Sequence, residues 1–230
     1  EIWQRVAPLA QRSGSTIKGV VTVSLMVLNV IAWCLVLFTV AIVKFVVPVP
    51  AVRRWLSRAM TALAEGWIGT NNAIFRATGV LPLEPRGLER LSTREWYLVV
   101  SNHRSWVDIL VLQAVFNRRI PFLKFFLKQQ LIWVPVIGLA WWALDFPFMQ
   151  RRGGALGKQD LERARKACEK FRLVPTSVIN SLEGTRFTKA KHRAQRSPYR
   201  HLLKPKAGAL ALALSVLGDK FRWLIDVTIV

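Results

Sequence analysis

An α/β domain preceded by a membrane helix or helical hairpin is the architecture this sequence predicts. Three observations carry the reading: a charge-free apolar run near the start, short apolar runs alternating with helical periodicity after Gly79, and turn residues where the two alternate. Its 230 residues suffice for one such domain with a small appendage, and so for one active site.

The first element is the apolar run. Residues 19–43 carry no charge and are bracketed by Lys18 and Lys44. A helix needs about 20 apolar residues to cross the hydrocarbon core, so this one can span with some tilt. It is too long for a secretory signal core and no small-residue cleavage site follows, which predicts an uncleaved anchor. Arg5, Arg12 and Lys18 on one side oppose Lys44, Arg53, Arg54 and Arg58 on the other, a slight bias toward a cytoplasmic C-terminal part. Pro48 and Pro50 end the helix. In residues 52–78 basic side chains give way to Trp67, Ile68, Ile74 and Phe75, which permits an interfacial amphipathic helix or a hairpin that enters one leaflet without crossing. Residues 1–79 therefore read as membrane-anchoring helices and 80–230 as the α/β domain.

Charge and hydropathy agree with that division. Lys and Arg total 34 against 13 acidic residues, a net +21, in a chain that is 52% hydrophobic with a mean hydropathy of +0.28. A nucleic-acid binder this basic is usually polar throughout, whereas excess positive charge on an apolar chain suits an anionic bilayer. A membrane partner and no nucleic acid are expected; the plain alternative is a solvated basic surface. Cys34 and Cys168 form no disulfide framework and no zinc spacing.

Within the second part, strands are expected at 96–101, 120–123, 144–149, 176–182 and 224–229, and helices at 105–117, 161–171 and 206–217. Residues 131–144, with Trp133, Trp141 and Trp142, are too short to span and are interrupted by Pro135 and Gly138. They read equally as ordinary core or as a wall in contact with lipid.

Two constellations carry chemistry. The strand ending at Ser101 runs into Asn102-His103-Arg104-Ser105-Trp106-Val107-Asp108, where the next helix begins. A histidine at the carboxyl end of a strand stands where open α/β folds place reactive groups. Imidazole exchanges protons near neutral pH, and a carboxylate on the following first turn can fix its tautomer and stabilise the imidazolium. Asp108 has a second reading, as the acid of a capping box begun by Ser105. The other constellation is Glu183-Gly184-Thr185-Arg186, directly after an apolar run. Glycine lets the backbone bend closely round a ligand and a guanidinium grips phosphate bidentately, although such a sequence alone is often only a turn with a surface arginine. The basic residues that follow, from Lys189 to Lys206, are suited to coenzyme or lipid phosphates and equally to a solvated loop. No Gly-x-Ser-x-Gly elbow is present to make a serine hydrolase.

Asn102-His103-x4-Asp108 and Glu183-Gly184-Thr185-Arg186, in this order and separation, resemble the first and third signature motifs of the 1-acylglycerol-3-phosphate acyltransferases, the PlsC-type or lysophosphatidic acid acyltransferase family. The resemblance runs from about Arg86 to Thr228. Residues 127–151 and 183–192 resemble most closely the lysocardiolipin acyltransferase-like branch and the bacterial YihG branch. The resemblance implies an acyltransferase catalytic domain in which His103, assisted by Asp108, deprotonates the free hydroxyl of a lysophospholipid such as lysophosphatidic acid. That hydroxyl would attack the thioester of acyl-CoA or an acyl carrier protein, which are substrates; no bound cofactor and no metal are implied. Arg151, from the second motif, with Glu183, Gly184, Thr185 and Arg186, would bind the acceptor, and apolar residues of 131–148 would receive acyl chain. Lysophosphatidylglycerol and lysocardiolipin are alternative acceptors, and the bacterial inner membrane, with the catalytic domain facing the cytoplasm, is the implied location. A basic membrane scaffold without turnover is the reading from a different class.

Overall fold

The computed structural model describes residues 2–149, 162, 165–166 and 168–229. The chain separates into two compact units, Glu1–Arg86 and Gly87–Val230.

The first unit is a pair of helices, α1 (Ile2–Val46) and α2 (Pro50–Thr78). Pro50 opens α2 at a position where its missing N–H is not needed. Gly79 closes it with φ 63°, a left-handed cap from which its N–H reaches the Phe75 carbonyl. Within α1, Thr16–Val46 is long and apolar enough to cross a membrane, and much of its apolar surface, including Val20, Leu28 and Leu35, is exposed. Several of its polar side chains are satisfied inside the unit. The Thr22 and Thr39 hydroxyls donate to carbonyls one turn back, Lys18 O at 2.7 Å and Leu35 O at 2.9 Å. Asn29 Nδ2 donates to Asn71 Oδ1 at 2.9 Å and to Trp67 O at 3.2 Å, and Trp33 Nε1 donates to Thr70 Oγ1 at 3.3 Å. These pairings run antiparallel and fix the register of a hairpin, of the kind that polar groups fix where water is scarce.

The second unit is the expected α/β domain. Its sheet has the order β2-β5-β1-β6, with β1 (Tyr97–Ser101), β2 (Leu123–Phe125), β5 (Ser177–Ser181) and β6 (Trp223–Val227), and all its pairings are parallel. A parallel sheet is covered on both faces, so β1 is buried along its whole length. Tyr97 and Val99 pack on one face with Leu112 and Phe116 of α3 (Val107–Phe116). Leu98 and Val178 pack on the other with Cys168, Phe171 and Leu212, Ala213 and Leu217 of α6 (Gly208–Leu217). Two short strands, β3 (Leu127–Lys128) and β4 (Phe148–Met149), pair beside the helix α4 (Ile137–Ala143). A further short helix, α5 (Lys189–Gln195), follows β5.

Strands expected at 96–101, 176–182 and 224–229 form as β1, β5 and β6. The strand expected at 120–123 is displaced onto Leu123–Phe125, and only Phe148–Met149 of 144–149 is extended and paired. Residues 206–217 and 105–117 become α6 and α3, each starting about two residues later than expected. Of the helix expected at 161–171, residues 162, 165–166 and 168–169 are helical and Lys170–Leu173 forms a 3-10 turn; residues 161, 163–164 and 167 lie outside the described residues. The basic stretch contains α5 in place of a plain loop.

Candidate active site

Parallel register brings the two constellations together. Ser101 of β1 lies opposite Ser181 of β5, so the chain leaves both strands at the same sheet edge, where His103 and Glu183 follow. Open α/β sheets hold ligands at that edge. The Glu183–Phe187 turn then grips the histidine by its backbone. The His103 N–H donates to Glu183 Oε1 at 3.2 Å, and the His103 carbonyl accepts the Phe187 N–H at 2.7 Å. Gly184 sits at φ 64°, which a side chain would strain, and its N–H closes the turn onto Ser181 O at 2.9 Å. From the other side, Asn102 pairs twice with the backbone of Ile229, its Nδ2 donating to the carbonyl and its Oδ1 accepting the N–H, both at 2.8 Å.

The ring is held by Asp108, which is only 5% exposed. Asp108 Oδ2 lies 2.9 Å from His103 Nδ1 and also accepts the N–H groups of Arg104, at 2.6 Å, and Ser105, at 2.9 Å. Oδ1 accepts the Ser105 hydroxyl at 3.1 Å. Burial alone would raise this carboxyl. The hydrogen bonds from the Ser105 N–H, the His103 ring, the Arg104 N–H and the Ser105 hydroxyl together outweigh it and hold Asp108 below the ordinary carboxylate range. An ionised carboxylate only accepts, so Nδ1 carries the proton and Nε2 is left as the basic nitrogen. One side chain therefore serves both the helix start and the imidazole, although the residue capping α3 is Trp106 and not Ser105. Ser105 completes the turn by accepting the Val107 N–H at 3.0 Å.

His103 and Asp108 line a cavity of about 340 Å³ together with Gly184, Thr185 and Arg186. Its apolar lining comes from Ile109, Leu112, Leu123, Phe125, Phe126 and Ile179; of residues 131–148, Leu131 alone appears in the lining. The Arg186 guanidinium stacks 4.9 Å over the exposed Trp106 ring at the rim. Lys191 of α5 also lines the cavity, its ammonium donating to Thr185 Oγ1 at 2.8 Å and Arg186 O at 3.1 Å. As a site residue Lys191 stayed concealed among its basic neighbours; its spacing from the Glu183–Arg186 turn, one helical turn past the Thr188 cap, was the available signal.

Two predicted site residues do not stand with the rest. Arg151 lies outside the described residues. Glu183 is 3% exposed and absent from the cavity lining; its second oxygen accepts the Leu203 N–H at 2.9 Å. The carboxylate is thus occupied in tying the histidine loop to the end of the basic segment.

The fold and this site define a class. The chain belongs to the acyltransferase family, whose family model matches residues 82–230. Among curated relatives it is similar to 1-acyl-sn-glycerol-3-phosphate acyltransferase delta of Homo sapiens, 27% identical over 187 residues covering 76% of this chain and 46% of that protein. It is also similar to the gamma form of Mus musculus, 26% identical over 148 residues, 59% of this chain and 38% of that one. The chain spans about half the length of the delta relatives it matches. The crystal structure of the 1-acyl-sn-glycerophosphate (LPA) acyltransferase PlsC from Thermotoga maritima shares the fold, with a TM-score of 0.56, 18% identity, and coverage of 88% of this chain and 71% of that one.

Two outcomes follow from the geometry. Glu183→Ala should cost about 2–4 kcal/mol, since two backbone N–H groups lose a charged acceptor. In hydrogen exchange the His103 and Leu203 amides should lose protection selectively; unchanged protection at both would contradict the tie. For Asp108 the folded carboxyl titrates below its unfolded value of ~3.9, so its stabilisation is present above that pH and disappears as pH falls through the lower folded value. Unfolding curves of wild type and Asp108→Asn should therefore differ most above the unfolded carboxyl value of ~3.9 and converge only as pH falls through the lower folded value.

Proposed function

We propose that this chain is a membrane-bound O-acyltransferase that moves a fatty acyl group from acyl-CoA or an acyl carrier protein to the free hydroxyl of a lysophospholipid such as lysophosphatidic acid. The observation that carries the proposal is the His103–Asp108 pair on the wall of an apolar cavity whose rim bears Arg186. In this scheme Nε2 of His103 removes the hydroxyl proton as the acceptor oxygen attacks the thioester carbon. The tetrahedral adduct collapses, the C–S bond breaks, and the imidazolium returns the proton to the departing thiolate. Asp108 keeps the tautomer and stabilises the imidazolium. Thr185, Arg186 and Lys191 receive the acceptor phosphate, Gly184 lets the backbone approach it, and Ile109, Leu112, Phe125 and Ile179 receive acyl chain. Glu183 acts through His103 as a positioning residue. Residues 1–79 anchor the protein and residues 80–230 carry the chemistry; the bacterial inner membrane with a cytoplasmic active site is the setting that fits the charge bias around α1.

A lysophosphatidylglycerol or lysocardiolipin acceptor is the second reading, in keeping with the resemblance of residues 127–151 and 183–192 to the lysocardiolipin and YihG branch. Lys191, held against the turn that bears Arg186, favours lysocardiolipin of the two, because two neighbouring cations suit a headgroup with two phosphates.

The test is turnover of labelled acyl-CoA against a panel of lysolipids. His103→Ala should lose about 10²–10⁴-fold in kcat with folding and lipid binding intact. Arg186→Ala should raise acceptor KM, and Arg186→Lys should restore only part of it because the bidentate fork is gone. Absence of product across the panel, or an unaltered acceptor KM in both arginine variants, would refute the assignment.

A further inference from the structure

We infer that the second unit carries its own membrane-docking wedge, built from the turn before α4 and the outer face of that helix, which seats in the interfacial layer of an anionic bilayer.

The segment is unusual for a surface exposed to water. Trp133 is 84% exposed, Trp142 54% and Leu139 51%, and Val134 and Val136 are exposed with them. From Trp133 to Trp142 the sequence contains no charged residue. Isolated exposed apolar residues are commonplace, but a contiguous group of this kind marks a binding surface. The turn itself is strained. Val136, a β-branched residue, sits at φ 63° so that the Ile137 N–H can reach the Pro135 carbonyl at 2.7 Å, which holds the valines outward.

Three features choose the occupant. Tryptophan favours the bilayer–water interface, where its ring meets hydrocarbon and its N–H meets headgroups, and two of the exposed residues are tryptophans. Exposed cations, Lys128 and Arg186, line the cavity whose lining includes Leu131, two residues before Trp133, so the apolar patch adjoins a basic rim as an anionic surface requires. A second copy of a +21 chain would bring like charge to the same rim, and an acidic carrier protein has no cation to meet between Trp133 and Trp142. Docked this way, the rim that holds Trp106 and Arg186 stands at the level of lipid headgroups, and an acceptor can enter without crossing water. This attachment does not depend on which lysolipid is acylated, nor on the helices of the first unit.

The test reads depth and not turnover. A nitrobenzoxadiazole dye is placed on Trp133→Cys, Leu139→Cys or, as a control in an exposed turn before β1, Arg94→Cys, in the full chain carrying Cys34→Ala. Cys168 escapes labelling because burial pushes its thiol up to about 12. In vesicles of phosphatidylglycerol and phosphatidylcholine, dyes at 133 and 139 should emit blue-shifted light, be quenched by nitroxide lipids and be shielded from aqueous iodide, while the dye at 94 behaves in the opposite way. Iodide quenching at 133 and 139 equal to that at 94 overturns the wedge. Shielding from iodide and nitroxide lipid alike also overturns it, since a protein surface then covers the patch. As a second readout, Trp133→Asp with Trp142→Asp should lower acylation of a vesicle-embedded acceptor at least about tenfold while leaving a water-soluble short-chain acceptor unaffected; equal effects on both would contradict the proposal.

Discussion

The arrangement depends on one carboxylate. Asp108 is taken out of water and given four donors in exchange, two backbone N–H groups, a hydroxyl and an imidazole. A buried carboxylate without such partners would be neutralised. With them it stays ionised, and its preference for donors alone dictates which ring nitrogen of His103 holds the proton. The same bonds curl residues 103–105 into the start of α3, so that helix initiation and the electronic state of the histidine are a single event.

The rest of the sheet edge serves to keep that ring where it is. His103 follows β1 and Glu183 follows β5, eighty residues apart in sequence, and the parallel pairing of Ser101 with Ser181 is what makes them neighbours. Glu183 and Phe187 hold the histidine backbone from one side while Asn102 anchors to Ile229 beyond β6 on the other. Side chains that touch ligands are only as accurate as the groups supporting them. A buried glutamate spent on backbone amides is a sound use of a charge that would repel a phosphate if it faced the cavity.

Much of this was legible in the sequence because periodicity and burial coincide. The run that became β1 is apolar and buried along its whole length, as a central parallel strand is, and the two motifs follow directly on β1 and β5. β2 was displaced because Lys124 interrupts its apolar run. In the fold that ammonium lies over the Phe146 and Phe171 rings and meets the Leu144 carbonyl, a destination no local pattern announces. The direction of Glu183 was hidden for a related reason. Its partners, the amides of His103 and Leu203, are long-range, so the motif advertised a ligand-facing carboxylate. Residues 131–144 were ambiguous between core and lipid contact because hydropathy does not distinguish a buried tryptophan from an exposed one, and here Trp133 and Trp142 are exposed.

The tautomer of His103 tests the account most directly, and the chain contains only three histidines to distinguish. His192 provides an internal contrast, since its Nε2 lies 2.6 Å from the Tyr199 carbonyl and must carry the proton. Nitrogen-15 NMR of the histidine-labelled protein, above the pH at which the rings are charged, should place the His103 proton on Nδ1, with a downfield proton resonance that Asp108→Asn abolishes, and the His192 proton on Nε2. A proton on Nε2 of His103, or a ring unaffected by Asp108→Asn, would contradict the claim that the buried carboxylate sets the base.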